Sequence, residues 1–86
     1  MIKSAGSLES SDCLITVKDS KNKLNNIVIE SIVFDQFGDQ ILKVIDDVLS
    51  INKIEYIELI CQDKGALDYT IKARTLTALK RLRGEL

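Results

Sequence analysis

The sequence contains no histidine among its 86 residues. Imidazole general bases, Ser–His and Cys–His nucleophile pairs and histidine-ligated metal sites are therefore excluded. Cysteine is scarce as well, because Cys13 and Cys61 are the whole complement. Their separation fits neither the paired spacing of a zinc site nor a disulfide framework. We therefore expect two reduced thiols and no metal site.

Charge of one sign is also lacking, since 12 Lys+Arg stand against 13 Asp+Glu and leave a formal net charge of −1. Without a basic field, long-range attraction does not draw the chain to nucleic acid or to anionic membranes. Aromatic residues make up 5%, which gives little support for a platform on which the successive bases of a nucleic acid stack. Apolar runs are short, and none follows Lys3 as it would in a secretory signal. We therefore expect a cytoplasmic protein that binds neither nucleic acid nor membrane.

What remains is an ordinary globular composition in a chain long enough for a single domain over 1–86. Residues 1–12 are small and polar without periodicity, which predicts a flexible arm. Three segments with β-branched or alternating apolar residues predict strands over 13–18, 27–32 and 54–61. The first two of these strands are expected to pair as an antiparallel hairpin, with the first strand in the middle of the sheet.

Two further segments have helical periodicity. From Phe37 to Val48, apolar residues recur at spacings of three and four, which predicts an amphipathic helix ending near Asn52. Residues 66–83 begin with strand-like alternation, but their length, helix formers and C-terminal cations favour a helix. The predicted fold is α+β with β-β-α-β-α order. It has two layers, with a small three-stranded mixed sheet and both helices on one face.

One candidate for chemistry is the arm segment Ala5-Gly6-Ser7-Leu8-Glu9-Ser10-Ser11-Asp12. On composition alone this is a frayed polar terminus. An accessible serine in such a segment also suits a covalent attachment point. A carrier serine needs no base of its own, because the enzyme that modifies it brings the catalytic groups.

A second candidate is Asp63-Lys64-Gly65-Ala66-Leu67-Asp68, between the last predicted strand and the last helix. A turn glycine and an acidic residue at the positive end of the helix dipole explain this segment without any function. The alternative is a phosphate or cofactor contact formed by helix-start amides with Lys64, Gly65 and Arg74. One glycine is a weak signal, so both interpretations stay open.

These two segments resemble the acyl carrier protein (gamma subunit) of citrate lyase, and so do Gln36-Phe37-Gly38-Asp39-Gln40-Ile41 and Ile71-Lys72-Ala73-Arg74. The four pieces keep their order and approximate spacing across nearly the whole chain. The resemblance implies a non-catalytic carrier subunit with phosphoribosyl-dephospho-CoA covalently attached to a serine through a phosphodiester. In this family the attached serine follows a Leu-Glu pair, which here is Ser10. Ser11 stands directly beside Ser10, so the sequence alone leaves attachment at Ser11 open as an alternative. Ser7 replaces the usual threonine.

The same resemblance implies the partners. The thiol arm would carry acetyl and citryl thioesters between the alpha subunit (citrate CoA-transferase) and the beta subunit (citryl lyase). A prosthetic-group transferase would attach the arm. The alternatives are the acyl carrier subunit of malonate decarboxylase, and a small protein-interaction module without a prosthetic group that uses an open sheet face. An ordinary phosphopantetheine carrier is disfavoured, because the chain lacks an Asp-Ser-Leu site and an all-helical pattern.

Overall fold

The computed structural model describes residues 1–21 and 24–85. Within these residues the elements are β1 (Ile2–Gly6), β2 (Cys13–Asp19), β3 (Asn26–Ser31), α1 (Phe34–Ile51), β4 (Ile57–Asp63) and α2 (Asp68–Leu82). The architecture is α+β, with a mixed sheet and two helices, as the sequence predicts.

The sheet has the strand order β1-β2-β4-β3. β2 runs antiparallel to both of its neighbours, β1 and β4. β3 is parallel to β4, and α1 connects them, as a crossover between parallel neighbours requires.

The prediction of three strands is wrong, because the sheet described has four. Residues 2–6, which we expected in a flexible arm, form β1 and pair with β2 from Ile2 opposite Lys18 to Gly6 opposite Leu14. The buried residue of this strand is Ala5, whose small side chain adds little to a hydrophobic pattern. Backbone pairing with the edge of β2 therefore stabilises a strand that side-chain periodicity does not reveal.

The predicted hairpin between the second and third observed strands is also wrong. β4 lies between β2 and β3, so β4, and not β2, is the middle one of the three strands that the sequence predicted. In β4, Ile57, Leu59 and Cys61 are nearly fully buried. A strand with so apolar a face gains most from a position with neighbours on both edges.

The core lies between the sheet and the helices. The buried side chains of β2 and β4 are Cys13, Ile15, Val17, Ile57, Leu59 and Cys61, and those of the helices include Ile41, Ile45, Val48, Leu49, Ile71, Ala78 and Leu79. Because α1 and α2 contact each other while packing on the strands, both helices lie on one face of the sheet. Full burial of an aliphatic side chain contributes about 1.5–3 kcal/mol. On the opposite face, Thr16, Val28 and Ile60 stay partly exposed.

The helices end where their sequences indicate. Asn52 caps α1, and its Nδ2 donates to the carbonyl of Val48 at 2.8 Å. Gly38 lies beneath the ring of Phe34, since a Cβ at this position would be 2.9 Å from Phe34 Cε1. α2 has Lys80 and Arg81 in its last turn, where cations favour the helix dipole. Neither of these two helices has the length and apolar composition needed to cross a bilayer, within the residues described.

Candidate functional site

Residues 7–12 form the connection between β1 and β2, here termed the serine loop. The amide of Asp12 donates to the carbonyl of Glu9 at 3.1 Å, so Ser10 and Ser11 occupy the two central positions of a tight turn. Both serines are exposed. Ser11 has a φ of 65°, a conformation that the second central position of several turn types requires. Ser10 thus lies at the tip of a β-hairpin rather than on a free terminus.

The carboxylate of Asp12 stabilises the serine loop by accepting several hydrogen bonds. Ser7 Oγ donates to Asp12 Oδ2 at 2.7 Å, and the amide of Cys13 donates to Oδ1 at 2.7 Å. Arg74 on α2 donates through Nε to Oδ1 at 3.1 Å and through Nη2 to Oδ2 at 2.9 Å. The Arg74 guanidinium, followed by the Ser7 hydroxyl and the Cys13 amide, lowers the pKa of Asp12 to about 2. Asp12 therefore stays ionised and joins both ends of the loop to α2.

The serine loop is also bonded to the turn between β4 and α2. The amide of Ser11 donates to the carbonyl of Lys64 at 2.8 Å, and the amide of Lys64 donates to the carbonyl of Asp12 at 2.9 Å. This reciprocal backbone pair brings together the two segments that the sequence singled out, although more than 50 residues separate them. Ser10 and Lys64 are consequently neighbours at one end of the sheet.

The buried side chain of Asp63 stabilises the turn between β4 and α2. It is 1% exposed, and its carboxylate accepts hydrogen bonds from Ser31 Oγ at 2.7 Å and from the amide of Ala66 at 2.9 Å. Gly65 has a φ of 89°, which an L-residue rarely adopts, and a Cβ there would meet only Ile32 Cδ1 at 3.8 Å. Backbone conformation, rather than lack of space, therefore selects glycine at this position.

The predicted site residues thus have different surroundings. Ser10, Lys64 and Gly65 lie at the same end of the molecule, on two segments that hydrogen-bond to each other. Arg74 reaches this end too, but its guanidinium is paired with Asp12. A phosphate contact by Lys64, Gly65 or Arg74 stays a prediction.

Sequence reasoning assigned no role to Asp12 or Gly6. Gly6 has a φ of 105°, and a Cβ on it would lie 1.9 Å from the carbonyl oxygen of Cys13. The glycine itself, in a segment of small residues, is the signal that was available. The partnership of Asp12 with Arg74 has no comparable signal, because it joins residues 62 positions apart.

A cavity of about 500 Å³ opens beside the same turn. One wall comes from α1 and the residue before it, and the other from the β4–α2 turn and the start of α2; the lining includes Val33, Phe37, Ile41, Ala66, Leu67 and Tyr69. Gln40 Nε2 donates to both carboxylate oxygens of Asp68, at 2.9 and 3.0 Å, and links the two helices across the cavity. Phe37, Leu67 and Tyr69 remain 47%, 59% and 71% exposed.

The two thiols are remote from solvent. Cys13 and Cys61 are both free and fully buried, on the neighbouring strands β2 and β4. The hydrogen bond with Cys13, followed by burial, raises the pKa of the Cys61 thiol. An accessible thiolate nucleophile is therefore not available from Cys61.

Comparison with known proteins gives consistent results. Residues 3–82 match the family described as ACP, malonate decarboxylase delta subunit (MdcD). The citrate lyase acyl carrier protein of Halothermothrix orenii is 49% identical over 78 residues, which are 91% of this chain and 82% of that protein. The one from Streptococcus mutans is 49% identical over 77 residues, 90% and 76% of the two chains. The one from Treponema denticola is 45% identical over 76 residues, 88% and 85% of the two chains.

This chain belongs to the citrate lyase acyl carrier protein family. The resemblance read from its motifs is thereby confirmed. Among solved structures, the homoserine kinase of Cytophaga hutchinsonii aligns with a TM-score of 0.61 at 12% identity, over 98% of this chain and 35% of that chain. That likeness is one of fold alone. In this member of the acyl carrier protein family, the serine loop and the β4–α2 turn are hydrogen-bonded to each other, and both segments contributed to the sequence resemblance.

Proposed function

We propose that this protein is the acyl carrier subunit of citrate lyase, a non-catalytic single-domain protein of the cytoplasm with Ser10 as its attachment residue. The prosthetic group would be phosphoribosyl-dephospho-CoA, joined to Ser10 Oγ through a phosphodiester. The observation that carries the proposal is the position of Ser10: it is exposed at the tip of a loop that two sets of hydrogen bonds fix to α2 and to the β4–α2 turn.

The surroundings of Ser10 fit such a group. Since the hairpin tip projects from the sheet, a bulky phosphodiester on Ser10 displaces no core side chain. Ser7 is a poorer attachment residue than Ser10, because the Ser7 hydroxyl donates a hydrogen bond to Asp12 and accepts one from the amide of Glu9 at 3.3 Å. Lys64 supplies a cation beside the loop for the negative charge of a phosphate. Arg74 remains bound to Asp12 in this proposal and contributes by holding the loop, while 42% of its side chain stays exposed.

The division of labour follows from the residue types. With no histidine in the chain, removal of the Ser10 hydroxyl proton falls to the prosthetic-group transferase that modifies it. Once attached, the group supplies a thiol that holds acetyl and citryl units as thioesters. The bond chemistry belongs to the citrate CoA-transferase (alpha) and citryl lyase (beta) subunits. This chain keeps the acyl group at high effective concentration near both of them.

A second candidate is the acyl carrier subunit of malonate decarboxylase. The description of the matched family favours it. The two candidates share the attachment serine and differ in the partner subunits. Affinity purification of the tagged chain from its native host, followed by identification of the bound subunits, separates them: a CoA-transferase and a citryl lyase support the first, and decarboxylase subunits support the second.

Intact-mass measurement of the chain purified from its native host tests the attachment site. The wild-type chain is expected to exceed its polypeptide mass by the mass of the prosthetic group, and Ser10→Ala to have the bare mass. Ser11→Ala and Ser7→Ala are matched controls in the same loop and should keep the adduct. A bare wild-type chain, or an adduct that persists in Ser10→Ala, contradicts the proposal. Circular dichroism of each variant shows whether the fold is intact.

A further inference from the structure

The cavity between α1 and the β4–α2 turn is close to the proposed attachment residue. Ser11 follows Ser10 and is hydrogen-bonded at 2.8 Å to the carbonyl of Lys64, which precedes Gly65 on the cavity wall. Five covalent bonds and this one hydrogen bond separate the Cα atoms of Ser10 and Gly65, which therefore lie at most about 10 Å apart. The cavity wall at Gly65 therefore lies within the length of a nucleotide-sized group attached to Ser10.

The chemistry of the cavity suits a flat aromatic ring. Its volume of about 500 Å³ lies within the range of small-molecule sites. Phe37 and Tyr69, on different helices, both line it and both keep about half or more of their surface exposed. Gln40, whose amide bridges to Asp68, adds a polar edge. Partly exposed rings around a concave apolar surface are the usual platform on which a nucleobase stacks.

We propose that this cavity binds the adenine ring of the nucleotide attached to Ser10. The proposal rests on the proposed function, which supplies the group. Adenine is the aromatic part of phosphoribosyl-dephospho-CoA, and one phosphoribosyl unit joins its nucleoside to the serine. Docking the adenine beside Phe37 and Tyr69 leaves the thiol end of the group free to reach the partner subunits.

Weak affinity is sufficient at this site, because the ligand is tethered. A short flexible tether gives an effective concentration on the order of 1 mM. A site with a dissociation constant of about 1 mM for the free nucleotide is then occupied about half of the time. The docked group is held between transfers and is released without a large barrier.

The test uses free dephospho-CoA as a probe on the unmodified chain, followed by amide and aromatic NMR signals. We expect saturable shifts at Gly65, Ala66 and Tyr69 with a dissociation constant of about 1 mM, and no such shifts with pantetheine. Tyr69→Ala should raise the dissociation constant by at least about fivefold, the loss typical of one stacking ring. Tyr56→Ala is the matched control, because this exposed tyrosine lies outside the cavity lining, and it should leave the constant unchanged.

The modified chain gives an independent readout. Nuclear Overhauser contacts between the adenine protons and the rings of Phe37 and Tyr69 support the proposal. Contacts from the pantetheine chain instead, or an adduct on Ser10 without contacts in the cavity, overturn it while the proposed function stands. If dephospho-CoA binds in the cavity but the native chain has no adduct, the proposed function fails and the nucleotide site stands.

Discussion

The carboxylate of Asp12 and the guanidinium of Arg74 form a two-point ion pair, with Nε–Oδ1 and Nη2–Oδ2 distances of 3.1 and 2.9 Å. The pair joins the serine loop to the middle of α2. With the Ser7 hydroxyl on the same carboxylate, both ends of the loop are held. In the proposed carrier, the movement needed for transfer therefore belongs to the attached group rather than to residues 7–12.

Arg74→Ala should destabilise the protein by about 1–2 kcal/mol. The substitution leaves a half-buried Asp12 carboxylate without its bidentate partner, while the exposure of the Arg74 side chain limits the loss. Urea unfolding followed by circular dichroism measures the change. Lys72→Ala, an exposed cation on the same helix, is the control and should stay within about 0.5 kcal/mol of the wild type. Equal effects of the two substitutions would contradict a structural role for the pair.

The stability of the protein should fall in acid as the Asp12 carboxylate becomes protonated. The folded-state pKa of Asp12 is about 2, below its ordinary value of 3.8, so the unfolded state takes up the proton first as the pH falls. The stabilisation from ionised Asp12 is complete above about pH 4 and is lost between about pH 4 and 2. After allowance for solvent screening, the loss is about 1–2 kcal/mol.

Unfolding curves at a series of pH values test this, with Asp12→Asn as the reference. The variant lacks the titrating group, so its stability should decline less steeply over this range. An identical pH dependence for the wild type and Asp12→Asn would show that other carboxylates are responsible.

Gly6→Ala should be among the most damaging single substitutions. A Cβ at this position would overlap the carbonyl oxygen of Cys13, and the φ of 105° is unfavourable for alanine. Relief requires the separation of β1 from β2, so we expect a loss of about 3 kcal/mol or more. Gly84→Ala is a matched control: its φ of 74° is also positive, but a Cβ there meets nothing within 4 Å. The control should lose about 1 kcal/mol.

The two thiols should react slowly in the folded protein. Cys13 and Cys61 are each 0% exposed, so Ellman's reagent should label them only when the sheet opens. Two equivalents should react at once in denaturant. Ser50→Cys adds an exposed thiol on α1 as a control and should react rapidly without denaturant. Fast labelling of the wild-type chain would contradict the buried position of both residues.

The elements with clear periodicity were predicted well. The first helix ends at Ile51 with Asn52 as its C-cap, close to the predicted end, and the second occupies residues 68–82 within the predicted 66–83. The last strand begins later than predicted, because Tyr56 has a φ of 64° and interrupts the extended backbone after Ile54. Ile54 is buried, so its apolar character was read correctly but assigned to the wrong element.

The candidate site was predictable in its parts and not in its assembly. Glycine, serine and the flanking acidic residues mark the serine loop and the β4–α2 turn as unusual segments. Strand β1 escaped prediction because Ala5 is the residue it buries, and a single small side chain makes no visible pattern. Without β1, the loop reads as a frayed end rather than as the tip of a hairpin.

The sequence by itself determined the periodic strands and helices, the family resemblance and the absence of an imidazole base for Ser10. Local spacing carries these properties, since side-chain periodicity and residue chemistry are properties of short segments. Only the tertiary structure decided that β4 separates β2 from β3, that Asp12 meets Arg74, and that Lys64 lies beside the serine loop. These contacts join distant positions, and packing of the whole core selects them.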